Sequence, residues 1–261
     1  MQEKPVYLEV RGEVAVLVLN RPGKLNALNH EIWAAIPALC AEVAAKPELK
    51  VLIVRGATPQ AFASGADIAE FPKVHATPDT ARAYHHDIHA AYDALNGLEK
   101  PTIALIQGYC FGGGCALALC CDIRYADTTA KFCIPPARLG IAYSLKETKR
   151  LYDLVGPSKT KEMLYGAKVI EADEALRVGL ATRLFEPAEI EAQTFAFADE
   201  LCRLSQFSIR TIKQTTQAIT AGAQQADAAL QALIMSGFEG ADYREGRAAF
   251  LEKRKARFTY R

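Results

Sequence analysis

Residues 107–122, QGYCFGGGCALALCCD, constrain the fold of this chain more than any other stretch, because an apolar strand runs straight into three glycines that open an apolar helix. A strand, a tight turn and a helix in direct succession are the makings of a layered α/β structure. Gly112, Gly113 and Gly114 carry no Cβ, so a ligand atom can approach the main chain, and the helix behind them adds its positive dipole end. Backbone N–H groups presented in this way suit an oxyanion. Just past the turn position 116 is Ala, and position 136 is Pro; both limit the chemistry.

With 261 residues, 50% of them hydrophobic and 23% charged, the chain can bury a sizeable core. Its formal net charge is +1 and the only basic block is 253–257, which argues against nucleic acid as a partner but leaves room for a small anionic ligand. The N-terminal MQEKPVYLEV has no apolar signal region and no apolar run approaches a membrane span, so a cytoplasmic protein without a membrane partner is expected. The seven cysteines are an odd number set mostly in apolar runs and read as reduced thiols acting as small hydrophobes. The 110, 115, 120 and 121 series lacks a CxxC pair, so no metal site is expected.

Strand-like runs at 14–19, 51–55 and 103–107 are each bounded by Gly, Pro or Asn. Helical patterns fill 30–45, with Pro37 placed to kink it, and 78–96. The alternation predicts an α/β fold whose sheet is buried on both sides. From 158 onward the pattern is almost wholly helical, at 158–165, 171–178, 187–204, 208–221 and 225–238. The chain is therefore divided into a core, 1–198, and a helical region, 199–261, which pack together because no linker separates them. No sequence period marks a repeat.

A second loop, AFASGAD at 61–67, follows the strand at 51–55 and has the same small-residue character as the glycine turn. If the N–H groups of Ser64 and Gly113 converge, they form a two-donor hole for a thioester oxygen that becomes negative as an enolate develops. One such donor is typically worth about 3 kcal/mol of transition-state stabilisation.

Over essentially its whole length the chain resembles the crotonase superfamily, the enoyl-CoA hydratase/isomerase family. The matching segments are NRPGKLNALN (20–29), AFASGADIAEF (61–71), KPTIALIQGYCFGGGCALALCCDIRYA (100–126), FCIPPARLGI (132–141), the Gly-Leu-Ala turn at 179–181 and FLEKRKARF (250–258). The resemblance implies a crotonase-type spiral of ββα turns with a C-terminal helical trimerisation region, giving a homotrimer or a dimer of trimers. It implies an acyl-CoA substrate, with coenzyme A as part of that substrate and no cofactor required. The two enolate donors map onto Ser64 and Gly113. Leu25 and Ala27, with Ala66, Asp67 and Ile68, would flank the nucleotide; Arg21 and Lys24 would meet its phosphates, and Lys253 would reach a neighbouring subunit's ligand.

Hydratases of this family use two glutamates, one directly after the GGGC turn and one in a later loop. Here those positions hold Ala116 and Pro136. Adding water to an enoyl thioester needs a proton taken from water and one given to the α-carbon, each transfer typically contributing about 10²- to 10⁴-fold. Ala and Pro can do neither. Decarboxylation asks for less, since carbon dioxide leaves once the bond is oriented and the enolate is held. PPARLGIAYSL (135–145) also resembles the corresponding loop of methylmalonyl-CoA decarboxylases, with Tyr143 as the hydroxyl that positions a carboxylate and Arg138 as a possible partner for it, although Ala66 stands where that likeness favours His.

Three readings follow. The sharpest is decarboxylation of a malonyl-type CoA thioester; the alternatives are an enoyl-CoA hydratase or isomerase with non-standard acid/base residues, and a non-catalytic acyl-CoA-binding protein. For the second, YHHDIH (84–89) places His85 and His89 on one helical face, and with Tyr92 and Glu147 they are the candidates to replace the missing glutamates. Glu147 reads equally well as a first-turn residue that complements a helix dipole.

Overall fold

The computed structural model describes residues 4–260. The chain begins with the antiparallel pair β1 (Val6–Arg11) and β2 (Val14–Leu19), followed by α1 (His30–Ala45). Three turns of a spiral follow, each with a strand for a large sheet, a short strand for a small sheet, and helix. The first is β3 (Val51–Gly56), β4 (Ala61–Ala63), α2 (Phe71–Val74) and α3 (Pro78–Asn96). The second is β5 (Thr102–Ile106), β6 (Tyr109–Phe111) and α4 (Gly113–Ala118). The third is β7 (Ile123–Asp127), β8 (Lys131–Cys133), α5 (Pro136–Leu139) and α6 (Leu145–Gly166). Strand β9 (Ile170–Glu171), α7 (Ala172–Arg177), β10 (Arg183–Phe185) and α8 (Ile190–Arg203) complete the core, and α9 (Gln206–Thr220), α10 (Ala228–Ser236) and α11 (Ala241–Leu251) close the chain.

The large sheet runs β1-β2-β3-β5-β7-β10 and is parallel from β2 onward; the small sheet runs β4-β6-β8-β9. Strand β2, VAVLVL, is buried at every position because both faces of the large sheet are covered. Val14, Val16 and Val18 join Val51, Ile53, Ile103 and Leu105 against Ile190, Ala198 and Cys202 of α8. Their period-2 neighbours Ala15, Leu17, Leu19, Leu52 and Val54 face Ile32, Trp33 and Ile36 of α1 and Tyr92 of α3. Each such fully buried large side chain contributes about 2 kcal/mol.

The α/β spiral and the C-terminal helices agree with the expectation, and α1 and α3 begin and end where the pattern places them. Asn29 accepts a hydrogen bond from the Ile32 N–H at the start of α1, and Thr77 with Thr80 forms a capping box on α3. Helix α1 runs on through Pro37 as one element. The division after residue 198 needs correction: it cuts α8, whose Ala198 and Cys202 both pack under the large sheet, so the core extends to Arg203. The next helix is tied back by an ion pair from buried Lys213 Nζ to the more exposed Asp122 at 2.8 Å, with Asp122 also accepting from the N–H and hydroxyl of Thr102. All seven cysteines are buried free thiols. Among the described residues no helix is long and apolar enough to cross a membrane.

Candidate active site

The three parallel strands of the small sheet, β4, β6 and β8, end side by side, and the residues that follow them (64–66, 112–113 and 134–136) line one wall of a cavity of about 400 Å³. Ligands gather at the carboxyl ends of parallel strands for the same reason elsewhere: that is where loops of one orientation converge. The opposite wall comes from α3, through Tyr84, His85, Ile88, His89 and Tyr92, and from Tyr143 and Glu147 near the start of α6.

The glycine turn is demanded by packing as well as by any ligand. Gly112 has φ +47°, and a Cβ on Gly114 would lie 2.6 Å from both the Cβ and the carbonyl oxygen of Ala63 on β4. The turn thus lies against the first loop: a Cβ on Gly112 would sit 3.7 Å from Gly65 Cα. The Gly112 carbonyl accepts from the Ala116 N–H at 3.0 Å, so the planar peptide turns the Gly113 N–H out of the helix end, where no acceptor among the described residues meets it.

The other donor is not the one expected. The Ser64 N–H donates to the Leu25 carbonyl at 3.0 Å, and its hydroxyl to the Lys24 carbonyl at 3.4 Å, so Ser64 is committed to holding the two loops together and cannot also be an oxyanion donor. The Gly65 carbonyl accepts from Leu28 N–H at 2.7 Å, which directs the following N–H, that of Ala66, to the opposite side. Ala66 lines the cavity and its N–H has no acceptor among the described residues. The geometry therefore offers Ala66 and Gly113 as the pair.

Two further expectations for the loops change. Arg21 donates through Nη1 to the Ala27 carbonyl at 2.6 Å and through Nη2 to Asp67 at 2.9 Å. Its guanidinium is a clamp between the loops at 20–29 and 61–71 rather than a free phosphate partner. Asp67 is equally committed: its N–H donates to Leu28 at 2.9 Å, and its side chain accepts from the Ala69 N–H and from Arg21, which hold its pKa down despite burial. Lys24 is exposed and has no ion-pair partner among the described residues; Leu25 and Ile68 are also exposed, the latter lining the cavity. Lys253 is exposed and does not line the cavity, and neither does exposed Arg138.

Pro136 lines the cavity while Ala116 is buried in α4. Among the described residues Glu147 is the one Asp or Glu that lines the cavity, and no Lys or Arg joins it. It completes a capping box, with Oε2 accepting from the Ser144 hydroxyl at 2.6 Å and the Ser144 N–H at 3.2 Å, so Oε1 remains without a donor among the described residues. The Tyr143 hydroxyl is buried without a partner among the described residues, and burial pushes its pKa well above the usual phenol value. The Tyr92 hydroxyl donates to the Gly113 carbonyl at 3.3 Å, bracing the turn from behind. His85 has a lowered pKa, first through burial and then through His75 and His89, against a smaller opposing pull from Glu147; His75 and His85 stack with ring centroids 5.6 Å apart. Trp33, His75 and Tyr84 complete the cavity and were not singled out from the sequence, although Tyr84, Ile88 and Tyr92 share one helical face at four-residue spacing.

The sequence profile of the enoyl-CoA hydratase/isomerase family matches residues 9–261. The chain belongs to this family. Among its relatives, the crotonyl-CoA hydratase of Syntrophomonas wolfei is 36% identical, over 99% of this chain and 99% of that protein. The short-chain-enoyl-CoA hydratase of Clostridium acetobutylicum is 35% identical, over 98% of this chain and 97% of that one. An enoyl-CoA hydratase/isomerase family structure from Hyphomonas neptunium superposes with a TM-score of 0.95 at 41% identity, over 98% of each chain. The family membership places the protein among enzymes of CoA thioesters. The decarboxylase reading has no counterpart in these relatives, which are named as hydratases, and among the described residues no Lys or Arg lines the cavity to hold a substrate carboxylate.

Proposed function

We propose that the protein hydrates a 2-enoyl-CoA thioester, with the N–H groups of Ala66 and Gly113 holding the thioester oxygen and Glu147 replacing the two missing glutamates. The observation that carries this reading is that these two unpaired N–H groups and the free oxygen of Glu147 belong to one cavity. The Glu147 carboxylate takes a proton from water as the water oxygen bonds to C3. Electron density moves onto the thioester oxygen, where the two N–H groups stabilise the enolate, and the proton then passes from Glu147 to C2. The balance is one water added and nothing else consumed. Tyr143, neutral because burial holds its proton in place, borders the same space and orients the water.

Coenzyme A enters past Leu25 and Ile68, whose exposed side chains form an apolar lip, with exposed Lys24 as a cation for its phosphates. Lys253 reaches the nucleotide only from a neighbouring copy. A trimer supplies that copy: α10 is apolar along AALQALIMS yet buries none of its residues, and Phe250 and Leu251 are 84% and 72% exposed.

One observation favours isomerisation as a second reading. A double-bond shift needs a single group to move one proton between two carbons, and Glu147 is the single carboxylate lining the cavity. Incubation with crotonyl-CoA and with 3-hexenoyl-CoA, followed by mass spectrometry, separates the two. A gain of one water by the first supports hydration; migration of the double bond in the second without water gain supports isomerisation, and inertness toward both contradicts an acid/base role for Glu147.

A further inference from the structure

Behind the cavity one arginine joins the helix that carries Glu147 to the helix that braces the glycine turn. Arg150 follows Glu147 by three residues on α6, so the two side chains share a helical face. Its guanidinium lies over the ring of Tyr92 on α3, 5.8 Å from the centroid, and Nη2 donates to the Asp93 carboxylate at 3.3 Å. Nη1 is buried and has no partner among the described residues, so Asp93 is the polar anchor of this side chain. Arg150 itself does not line the cavity, and 16% of its side chain is exposed.

Tyr92 is the other end of the connection. It is almost fully buried, its hydroxyl donates to the Gly113 carbonyl at 3.3 Å, and its ring meets Trp33 edge-on at 5.3 Å. Burial, then Tyr143 and Glu147, push its pKa well above the usual phenol value against an opposing pull from Arg150, so both charges of α6 lie close to this ring. The oxyanion turn and the carboxylate are thus linked in a short series: Gly113 to Tyr92, Tyr92 to Arg150, and one turn of α6 to Glu147. Lys146 adds a second tie to Asp93 at 2.8 Å, but both of those groups are well exposed, and such surface pairs add little stability.

We propose that Arg150 is a positioning residue: by joining Tyr92 and Asp93 of α3 to the turn of α6 that carries Glu147, it sets the distance between the carboxylate and the oxyanion donors. This inference rests on the acid/base reading of Glu147. Misplacing a reacting group by about 1 Å can cost about 10²-fold in rate. A planar guanidinium lies over a ring while bonding a carboxylate, which the compact ammonium of a lysine does not reproduce.

Kinetics and calorimetry on Arg150→Met, Asp93→Asn and the double variant test it, with crotonyl-CoA or 3-hexenoyl-CoA as substrate, whichever the parent converts. Arg150→Met should lower kcat about tenfold or more, while the affinity for saturated butyryl-CoA stays within about twofold of the parent. Asp93→Asn should lower kcat in the same sense, and the double variant should be no slower than Arg150→Met alone, because the two residues act as one unit. Arg150→Lys keeps the charge and the aliphatic stem and should share the loss; it carries the comparison if the thermal transition shows that Arg150→Met does not fold. A kcat within about twofold of the parent in either folded Arg150 variant overturns the positioning role and leaves the acid/base reading standing. So do losses that add in the double variant, or a loss of butyryl-CoA affinity as large as the loss in kcat. A parent that converts neither substrate, or a Glu147→Gln variant as active as the parent, overturns the acid/base reading and the positioning role with it.

Discussion

The Ser64 N–H donates to the Leu25 carbonyl at 3.0 Å, and this one bond decides which backbone group of the first loop is free for catalysis. With Ser64 spent on the loop, the free donor moves to Ala66. Replacing Ser64 by Ala leaves that backbone bond in place and removes only a 3.4 Å contact from its hydroxyl to the Lys24 carbonyl. Steady-state kinetics of Ser64→Ala should give kcat and kcat/KM within about twofold of the parent.

Gly113 has no such tolerance. An added methyl at this position presses on Trp33 at 3.1 Å and on the Tyr92 hydroxyl at 3.5 Å. Gly113→Ala should therefore displace the oxyanion turn and lower kcat by about 10²-fold. Binding of a saturated acyl-CoA, followed by calorimetry, should weaken far less, because the donor acts chiefly on the enolate.

His85 has a folded pKa below its ordinary value, so the native state binds fewer protons than the unfolded chain between the two values. Its contribution to stability is complete above about pH 6.5 and is lost as pH falls through the lowered folded pKa. His75 and His89 press in the same direction and Glu147 against it. Thermal melts from pH 8 to pH 5 should show a fall below about pH 6.5 that is shallower in His85→Gln.

Lys213 is buried and bonded to Asp122, so it anchors α9 to the core at the turn after α4. Lys213→Met removes a donor from Asp122, whose exposed carboxylate water can still reach, and should cost about 1 kcal/mol in a denaturant titration.

Much of the frame was legible in advance because it rests on local signals. The all-apolar β2 marks a sheet covered on both faces, and Asn29 and Thr77 are caps that start α1 and α3 at predictable residues. The small sheet was not legible, since β4, β6 and β8 have three residues each, too few to show a period. Helix α6 was not legible as one element because Gly156, at φ +75°, and Pro157 interrupt the pattern. At the site, the identity of the loops could be read but not their bonding. Arg21 meets Asp67 across 46 positions, and Ser64 meets Leu25 across two loops that only the fold brings together. Cavity residues Trp33 and Tyr84 sit in helices whose apolar faces read as ordinary core.

The most direct test of the account follows crotonyl-CoA in H₂¹⁸O by mass spectrometry with the parent protein and Glu147→Gln. Gln keeps the capping box at the start of α6, so the variant should melt like the parent. The account predicts that the parent adds one labelled water, and that Glu147→Gln binds crotonyl-CoA but adds water slower by about 10²-fold or more. Undiminished water addition by Glu147→Gln would contradict it.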